Sequence, residues 1–422
     1  MNSAPVPPPA GAQLTAVAGG TAPDAVAALT TALRRVLAGA PEVLVPHAPR
    51  QDGAAALTAL RDRLALPVPP GTAVVLRTSG STTGLGHLVA LSADSLAASA
   101  RATEQRLAGP GQWLLAVPTH HVAGLQVLVR SVLAGTAPVV LDTSEGFTPE
   151  ALAEAARDLR DDVPGYLSLV PTQLVRVLAA GATAPLARLE AILVGGAALP
   201  PRVLERARDA GLRVVTTYGM TETGGGCVYD GVALPGVSVR LAEEDRIEIS
   251  GPVLASGYLD DAAAHARTFV ARGGERWLRT SDRGALTALP DGTRRLTVLG
   301  RVDDAINTGG IKVAPAAVER VLGEQPGIAE AVVVGVPDAE WGQLVAAVVT
   351  APPGTAPPSL ADVRAFVTDR LGAAHAPRAL LTLDALPLRG PGKVDRRAAA
   401  RLAAAALAEP GRAGVQRHGG GR

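Results

Sequence analysis

The fold class is decided by the stretch Val214-Val215-Thr216-Thr217-Tyr218-Gly219-Met220-Thr221-Glu222, in which a short apolar strand runs directly into a glycine-punctuated polar segment. Short apolar strands of this kind are typical of buried parallel sheets, and open α/β sheets bind ligands where such strands end. Tyr218 offers a ring for stacking and Glu222 a carboxylate for a metal ion. The alternative interpretation is a plain strand-to-loop turn with a solvated glutamate.

Working outward, further apolar runs bounded by Gly or Pro alternate with Ala/Leu-rich helical patterns, which favours a parallel-sheet α/β architecture. Closely spaced strands with turn signals predict a small β-rich subdomain over 236–299, and a compact α/β unit follows beyond 300. The predicted strands are 74–76, 114–117, 139–141, 192–194, 214–215, 331–336 and 344–349, and the predicted helices are 92–107, 200–210, 316–322 and 359–371.

The length of 422 residues exceeds what one hydrophobic core usually organises, so we expect two domains. They are a large N-terminal domain over 1–299, with parallel sheets and helices, and a small mobile α/β domain over 300–408. A disordered tail is expected over 409–422.

Composition excludes several classes of partner. Hydrophobic residues make up 47% of the chain and its net charge is +1, so nothing indicates nucleic acid or an anionic membrane. No apolar run approaches the roughly 20 residues needed to span a bilayer, and residues 1–13 lack the features of a signal peptide. The single cysteine, Cys227, excludes an internal disulfide and a thiolate zinc cage. We therefore expect a cytoplasmic protein.

Four other short polar segments accompany the first. They are Thr78-Ser79-Gly80-Ser81-Thr82, Thr280-Ser281-Asp282, Gly300-Arg301-Val302-Asp303-Asp304 and Gly392-Lys393. The segment at 78–82 follows a predicted strand, and its small hydroxylated residues expose backbone N–H groups that can wrap phosphate oxygens. It is not a phosphate loop of the Gly-Lys-Ser/Thr type, and an ordinary turn of the same composition is the alternative.

In their order, these five segments resemble the core motifs of the adenylate-forming superfamily of acyl-CoA ligases, luciferases and peptide-synthetase adenylation domains. The resemblance covers nearly the whole chain. Within the superfamily, the runs at 118–125, 168–174 and 225–231 look most like the o-succinylbenzoyl-CoA ligases of menaquinone biosynthesis, particularly the actinobacterial ones. This resemblance implies an acid–thiol ligase that adenylates o-succinylbenzoate with ATP and Mg2+ and transfers the acyl group to coenzyme A, releasing AMP and pyrophosphate.

The resemblance also assigns roles to matching positions. Tyr218 would stack on adenine, and Thr221 and Glu222 would face the phosphates and Mg2+, with Glu222 as metal ligand. Lys393 would neutralise the reacting carboxylate and α-phosphate; a solvated surface lysine is the alternative. The implied ATP-binding set comprises Thr78, Ser79, Gly80, Ser81, Thr82, Gly195, Gly196, Ala197, Tyr218, Gly219, Met220, Thr221, Asp282, which would hold both ribose hydroxyls, and Arg301, which would hold ribose or phosphate.

Adenylation and thioester formation each need their own arrangement of active-site residues. The resemblance implies that the small domain rotates about Asp303 to change from one arrangement to the other. Gly309 and Gly310 would then bring backbone against the pantetheine channel of coenzyme A. A plain interdomain linker is the alternative interpretation of 300–304. Adenylation needs no nucleophilic side chain, because positioning and charge neutralisation carry it.

The acyl substrate is expected to contact His121, Ser168 and Gln173, with His121 assigned a catalytic role at the acyl pocket or coenzyme A tunnel. A satisfied structural histidine is the alternative. The second carboxylate of the implied substrate needs an arginine or a set of polar donors, and Arg176 is one candidate.

The chain departs from the superfamily pattern at two places. Residues 82–87 read Thr-Thr-Gly-Leu-Gly-His, so the usual loop lysine is missing and His87 stands in its place. Ser281 replaces the usual glycine before the ribose aspartate. The missing lysine predicts reduced phosphate affinity or turnover, whereas the serine is harmless unless its position needs a positive φ. Neither change removes Glu222, Asp282, Arg301 or Lys393, so we expect the chemistry to be retained.

Two alternatives stay open. The first is a ligase or free-standing adenylation domain for another carboxylic acid, and the second is a non-catalytic nucleotide-binding switch. The retained Lys393 argues against the switch. For a ligase the partner is a small-molecule carboxylic acid, and a homodimer is suggested by the family alone.

Overall fold

A computed structural model describes residues 13–78, 86–352, 354–389, 393–409 and 414–418. Its first half contains β1 (Gln13–Ala18), α1 (Pro23–Leu37), β2 (Glu42–His47), α2 (Gly53–Arg61), β3 (Thr72–Arg77), β4 (Leu88–Ser92), α3 (Ala93–Arg106), β5 (Gln112–Leu115), α4 (Val122–Ala134), β6 (Val139–Val140), α5 (Pro149–Arg157), β7 (Gly165–Leu169), α6 (Pro171–Ala180), β8 (Ala191–Val194), α7 (Pro201–Asp209), β9 (Val214–Met220), β10 (Gly225–Tyr229) and β11 (Val232–Ala233).

The remaining elements follow residue 236, where closely spaced strands begin. They are β12 (Ser238–Leu241), β13 (Arg246–Ser250), β14 (Gly257–Tyr258), α8 (Ala262–Thr268), β15 (Phe269–Arg272), β16 (Glu275–Ala288), β17 (Arg294–Arg301), β18 (Ile306–Thr308), β19 (Ile311–Val313), α9 (Pro315–Leu322), β20 (Glu330–Asp338), β21 (Gly342–Thr350), α10 (Leu360–Leu371), β22 (Ala379–Thr382), β23 (Leu388–Arg389), β24 (Lys393–Val394), α11 (Arg396–Ala408) and β25 (Val415–Arg417).

The helices begin where the sequence supplies caps. Ser92 accepts a hydrogen bond from the backbone N–H of Ser95 at the start of α3, and Ser359 forms a capping box with Asp362 at the start of α10. Proline occupies the first turn of α7 and α9, where its missing N–H costs nothing. Each predicted helix and strand is present, with its bounds shifted by at most a few residues.

Two sheets build the larger part of the molecule. One has the order β1-β2-β3-β4-β14, and the other the order β12-β13-β16-β17-β11-β10-β9-β8-β7-β5-β6, with β15 paired to β16. Strands β5, β7, β8 and β9 are parallel, whereas the strands after β9 are antiparallel. The predicted β-rich segment is present as antiparallel strands, and it is joined to the parallel sheet through β10 and β11.

The α/β unit beyond residue 300 has its own sheet, ordered β19-β18-β21-β22-β25 with β20 paired to β21. Helices α9 and α10 cover one face and α11 the other, and a separate apolar cluster lies on each side. The prediction of a disordered tail is wrong for Val415–Arg417, because these residues pair with β22 as an antiparallel edge strand. No helix in the described ranges is long and apolar enough to cross a membrane.

Contacts of α7 attach the small unit to the large one. Arg202 donates from Nη1 to the carbonyl oxygen of Gln325 at 3.1 Å and from Nη2 to that of Ile328, just beyond the end of α9. A cation suits the carbonyl end of a helix, because the aligned peptide dipoles leave partial negative charge there. This contact fixes one arrangement of the two units.

Candidate active site

The carboxyl ends of the four parallel strands meet at one edge of the large sheet. His121 lies in the segment after β5, Gly195 follows β8, and Tyr218 lies near the carboxyl end of strand β9. Open α/β sheets bind ligands at this edge, because the loops that leave the strands there form a crevice. The sequence-predicted residues from three separate segments are thus brought to one place by the order β5-β7-β8-β9.

Tyr218, Asp282 and Arg301 form one polar cluster at this edge. The hydroxyl of Tyr218 donates to Oδ2 of Asp282 at 2.7 Å, and Nη1 of Arg301 lies 3.8 Å from Oδ1. Asp282 and Arg301 are directly opposite each other on β16 and β17. Burial raises the pKa of Asp282, and the bond from Tyr218 and the charge of Arg301 oppose that shift. The cluster brings a ring, a carboxylate and a guanidinium together at this edge of the sheet.

Glu222 lies in a short 3-10 turn directly after β9 and is 9% exposed. Its Oε1 accepts a hydrogen bond from the hydroxyl of Tyr258 at 2.7 Å. Burial raises the pKa of Glu222, while the bond from Tyr258 and the nearby charges of His87 and Arg301 lower it. A hard carboxylate oxygen held in this way fits Mg2+, which usually takes one or two protein carboxylates plus substrate phosphates. No group of three or more His, Cys, Asp or Glu side chains within the described ranges is arranged to hold a metal alone.

The turn that carries Glu222 is fixed by a buried threonine and a glycine. The hydroxyl of Thr223 donates to the carbonyl oxygen of Gly225 at 2.7 Å and accepts from the N–H of Met220 at 2.9 Å. A β-carbon on Gly219 would lie 2.1 Å from the carbonyl oxygen of Gly225, so only glycine allows β9 and β10 to approach this closely. Local backbone packing thereby sets the direction of the Glu222 carboxylate.

Lys393 reaches the same edge from the small unit. It is half-buried in the hairpin β23–β24, and its Cε lies 3.3 Å from the position that a β-carbon on Gly196 would take. Burial lowers the pKa of Lys393, the charge of Arg389 lowers it further, and the charge of Glu222 raises it. The two units are therefore docked in the arrangement that places the lysine beside Gly196, in the loop that follows β8.

His121 occupies the N-cap position of α4, and its ring lies 4.3 Å from that of His120. Burial, together with the charges of His120, Lys393 and Arg77, lowers the pKa of His121 to about 3. Burial lowers the pKa of His120 to about 4. Both rings are neutral at physiological pH, so His121 can donate or accept a hydrogen bond and does not add a charge next to Lys393.

The other predicted acyl-pocket residues have different surroundings. The side-chain amide of Gln173 hydrogen-bonds to two backbone groups. It accepts from the N–H of Val170 at 3.0 Å and donates to the carbonyl oxygen of Ala116 at 2.9 Å. Arg176 donates to the carbonyl oxygen of Phe147 at 2.6 Å and lies over its ring. These contacts tie loops together. Ser168 is buried within β7, where it is paired with Leu193.

The first predicted loop lies largely outside the described residues, which include Thr78 but not Ser79, Gly80, Ser81 or Thr82. At its far end His87 stacks on Tyr258, with ring centroids 4.2 Å apart, and its Nδ1 lies 3.4 Å from Asp260. The histidine that replaces the loop lysine is therefore held close to the Glu222–Tyr258 pair.

The predicted hinge and coenzyme A residues lie at the start of the small unit. Asp303 accepts from Nη2 of Arg301 at 2.9 Å, directly after β17 ends. Gly309 and Gly310 form the turn between β18 and β19 with positive φ angles of 54° and 81°. A β-carbon on Gly309 would lie 2.9 Å from the ring of Trp341. Their roles in rotation and in coenzyme A binding stay predictions.

Three residues at the site were missed from the sequence, namely Tyr258, Thr223 and Arg389. Tyr258 comes from β14, which belongs to the other sheet, so no local pattern links it to Glu222. One signal for the lysine was available: Lys312 and Lys393 are the only lysines in a chain rich in arginine. Lysine and arginine are not interchangeable at a site that needs a compact point charge, so a lysine in such a chain was worth examining.

Comparison with protein families gives two matches. The model for the AMP-binding enzyme covers residues 18–259, and the model for the AMP-binding enzyme C-terminal domain covers residues 317–393. A Mycobacterium tuberculosis protein named "Probable 2-succinylbenzoate--CoA ligase" is 45% identical over 379 residues, which are 90% of this chain and 96% of that protein.

Solved structures share the fold. ATP-bound MatB from Rhodopseudomonas palustris has a TM-score of 0.75 at 23% identity, covering 93% of this chain and 89% of that one. The o-succinylbenzoate CoA synthetase MenE from Bacillus subtilis, in complex with the acyl-adenylate intermediate OSB-AMP, has a TM-score of 0.70 at 24% identity, covering 92% and 87%. The α/β fold with a large N-terminal and a smaller C-terminal domain is thus the fold of adenylate-forming enzymes.

Proposed function

Since this chain belongs to the AMP-binding enzyme family, we propose that it is the AMP-forming ligase that joins 2-succinylbenzoate to coenzyme A in menaquinone biosynthesis. The observation that carries the proposal is the placement of Lys393, from the far end of the chain, against Gly196 at the carboxyl end of β8. A protein that only bound nucleotide would not need a half-buried ammonium at that point. The choice of 2-succinylbenzoate as substrate rests on the 45% identity to the M. tuberculosis protein named "Probable 2-succinylbenzoate--CoA ligase", which extends along nearly its full length.

The nucleoside would be held by the cluster around Asp282. Its two carboxylate oxygens can accept from two ribose hydroxyls, because a carboxylate has lone pairs on both oxygens. One of these oxygens now accepts from Tyr218, and Arg301 opposes the rise in the pKa of Asp282 that burial causes. The bond from Tyr218 and the charge of Arg301 thus favour the ionised form of Asp282 that such binding needs.

The reacting groups are both anionic, since a carboxylate must approach the α-phosphate of ATP. Lys393 would place positive charge between them, and the N-terminus of α4, which begins directly after His121, adds partial positive charge. Neutral His121 can donate a hydrogen bond to a carboxylate oxygen without competing with the lysine. Positioning and charge neutralisation then lower the barrier without a covalent intermediate on the protein.

Mg2+ would be held by Glu222, with Thr221 close by in the same turn, and when bound it neutralises charge on the phosphates. Two neighbouring side chains position the carboxylate that would bind it. Tyr258 holds the carboxylate of Glu222 in place, and Thr223 fixes the turn that presents it.

For the second step, we propose that the small domain rotates about Asp303 and replaces the hairpin of Lys393 with that of Gly309 and Gly310. The ion pair between Arg301 and Asp303 lies at the proposed hinge, and the strands on its two sides, β17 and β18, belong to different sheets.

We also propose that the reaction takes place in the cytoplasm. We propose a homodimer as the assembly, which sedimentation velocity would test.

The test is pyrophosphate release from ATP with a panel of acids, comprising 2-succinylbenzoate, benzoate, a medium-chain fatty acid and amino acids. We expect turnover with 2-succinylbenzoate alone, and AMP and thioester when coenzyme A is added. Turnover with another acid would change the assigned substrate and leave the proposed mechanism unchanged. No turnover with any acid would count against a ligase.

A further inference from the structure

The C-terminal strand β25 makes contacts that its place at a sheet edge does not require. It pairs with β22 in antiparallel register, so that Val415 lies opposite Leu381 and Arg417 lies opposite Ala379. This pairing covers the edge of β22. Two further contacts lead away from that edge to the turn between β20 and β21. The strand therefore has a second place of contact within the small unit.

The first of these contacts is an ion pair with the residue that shapes the turn. Nη2 of Arg417 donates to Oδ2 of Asp338 at 3.0 Å. The other carboxylate oxygen, Oδ1, accepts from the backbone N–H of Glu340 at 3.0 Å and from that of Trp341 at 3.1 Å. An aspartate that accepts from the backbone a few residues further on stabilises a tight turn. Arg417 thus holds the carboxylate on which the conformation of residues 338–341 depends.

The second contact reaches the same turn through Arg378. The backbone N–H of His418 donates to the carbonyl oxygen of Arg378 at 2.9 Å, and the N–H of Arg378 donates to that of Val345 at 2.8 Å. The guanidinium carbon of Arg378 lies 3.6 Å from the centroid of the Trp341 ring. A guanidinium in this position is attracted to the electron-rich face of the indole. The end of the chain thus supports Trp341 through its backbone and through its ring.

Trp341 sets the position of Gly309. Its carbonyl oxygen accepts from the N–H of Gly309 at 3.0 Å, and a β-carbon on Gly309 would lie 2.9 Å from its ring. A hydrogen bond and a close packing contact therefore join the two turns. Because packed interiors transmit small displacements, a shift of residues 338–341 moves the turn of Gly309 and Gly310 as well.

We propose that Arg417 is a positioning residue for the thioester-forming step, holding the turn of Gly309 and Gly310 in place through Asp338 and Trp341. The inference rests on the proposed function for the coenzyme A step, and the identity of the acid does not enter. Adenylation depends on Lys393, which belongs to the separate two-stranded sheet of β23 and β24. The two steps should therefore respond differently to changes at Arg417.

The test compares full-length variants that weaken the ion pair to different degrees. Arg417→Lys keeps the positive charge, Arg417→Gln removes it, and Arg417→Glu places a negative charge beside Asp338. Arg370→Glu is the matched control, because it reverses a partly exposed arginine that pairs with Glu324 elsewhere in the small unit. Thermal melting reports on folding. Hydrogen exchange over 306–313 and 338–343 reports on the two turns in the absence of any ligand.

For thioester formation from synthetic acyl-adenylate, we expect kcat/KM for coenzyme A to fall about threefold in Arg417→Gln and about tenfold in Arg417→Glu, the latter equivalent to about 1.4 kcal/mol. Arg417→Lys and Arg370→Glu should stay within about twofold of wild type, and so should single-turnover adenylation in every variant. Exchange over both turns should be faster in Arg417→Glu.

Three results would overturn the proposal: transfer within twofold of wild type in Arg417→Glu, equal losses in adenylation and transfer, or unchanged exchange over 306–313. Equal losses would indicate a general structural role for the strand. An error in the proposed function has a different signature, since the wild type itself would then form no thioester, whereas the exchange comparison needs no coenzyme A.

Discussion

Replacement of Lys393 by alanine tests the assignment of the site most directly. The ammonium is half-buried beside Gly196 and close enough to lower the pKa of His121. A unit charge about 4 Å from a developing charge is worth about 4 kcal/mol at an effective dielectric constant of 20. Loss of one preorganised group of this kind usually slows a reaction about 10²–10³-fold, so we expect adenylation to fall by that factor.

The assay separates the two steps. Single-turnover pyrophosphate release with ATP and 2-succinylbenzoate measures adenylation, and thioester formation from synthetic acyl-adenylate and coenzyme A measures transfer. Transfer should stay within about threefold of wild type, because the lysine serves only the first step. Lys312→Ala is the matched control, since it removes the only other lysine of the chain. If Lys393→Ala kept more than a tenth of the adenylation rate, or if both steps fell together, the role given to Lys393 would be wrong.

Three further predictions concern residues around the site. Tyr258→Phe removes a bond that lowers the pKa of Glu222, so the acid limb of the adenylation pH profile should move to higher pH; an unmoved limb would contradict the role of Glu222. Arg202→Gln removes contacts that dock the small unit beyond α9, and single-turnover assays should show slower adenylation with unchanged transfer; slowing of transfer alone would refute this. His120 has its pKa lowered to about 4. The unfolded chain therefore takes up a proton there as the pH falls below about 6.5, while the folded chain does not, and this histidine alone should lower the free energy of unfolding by about 3 kcal/mol between pH 7 and pH 4, in addition to the loss from His121. Urea titrations should show a loss that is smaller by about that amount in His120→Asn, and an identical loss in both proteins would exclude this histidine as a source.

Many of the candidate site residues could be predicted from the sequence because they lie in short contiguous segments. Residues 214–222 carry a strand and the ligands that follow it, and Thr280-Ser281-Asp282 likewise lies within one strand, β16. Periodicity and caps also placed α3, α7 and α10 within a few residues of their observed ends. The α/β class follows from such local patterns, since apolar strands and amphipathic helices differ in period.

Contacts between distant segments were decided by the tertiary structure. The bond from Tyr258 to Glu222 depends on β14 pairing with β4, and the use of Gln173 by backbone depends on the packing of α6 beneath β5 and β7. The tail was expected to be disordered because it is polar and rich in glycine, yet Val415–Arg417 found the open edge of β22. Unpaired strand edges select partners by position in space, which composition does not report.

Local patterns in the chain were enough to predict the fold class, the motifs and the significance of Lys393 at its place near the end of the second domain. Three contacts could be seen only in the folded molecule: Lys393 against Gly196, Arg389 opposite Lys393, and the bond from Tyr218 to Asp282. A strand can be predicted because it depends on neighbouring residues, whereas strand order and domain docking depend on surfaces that meet only after the chain has folded.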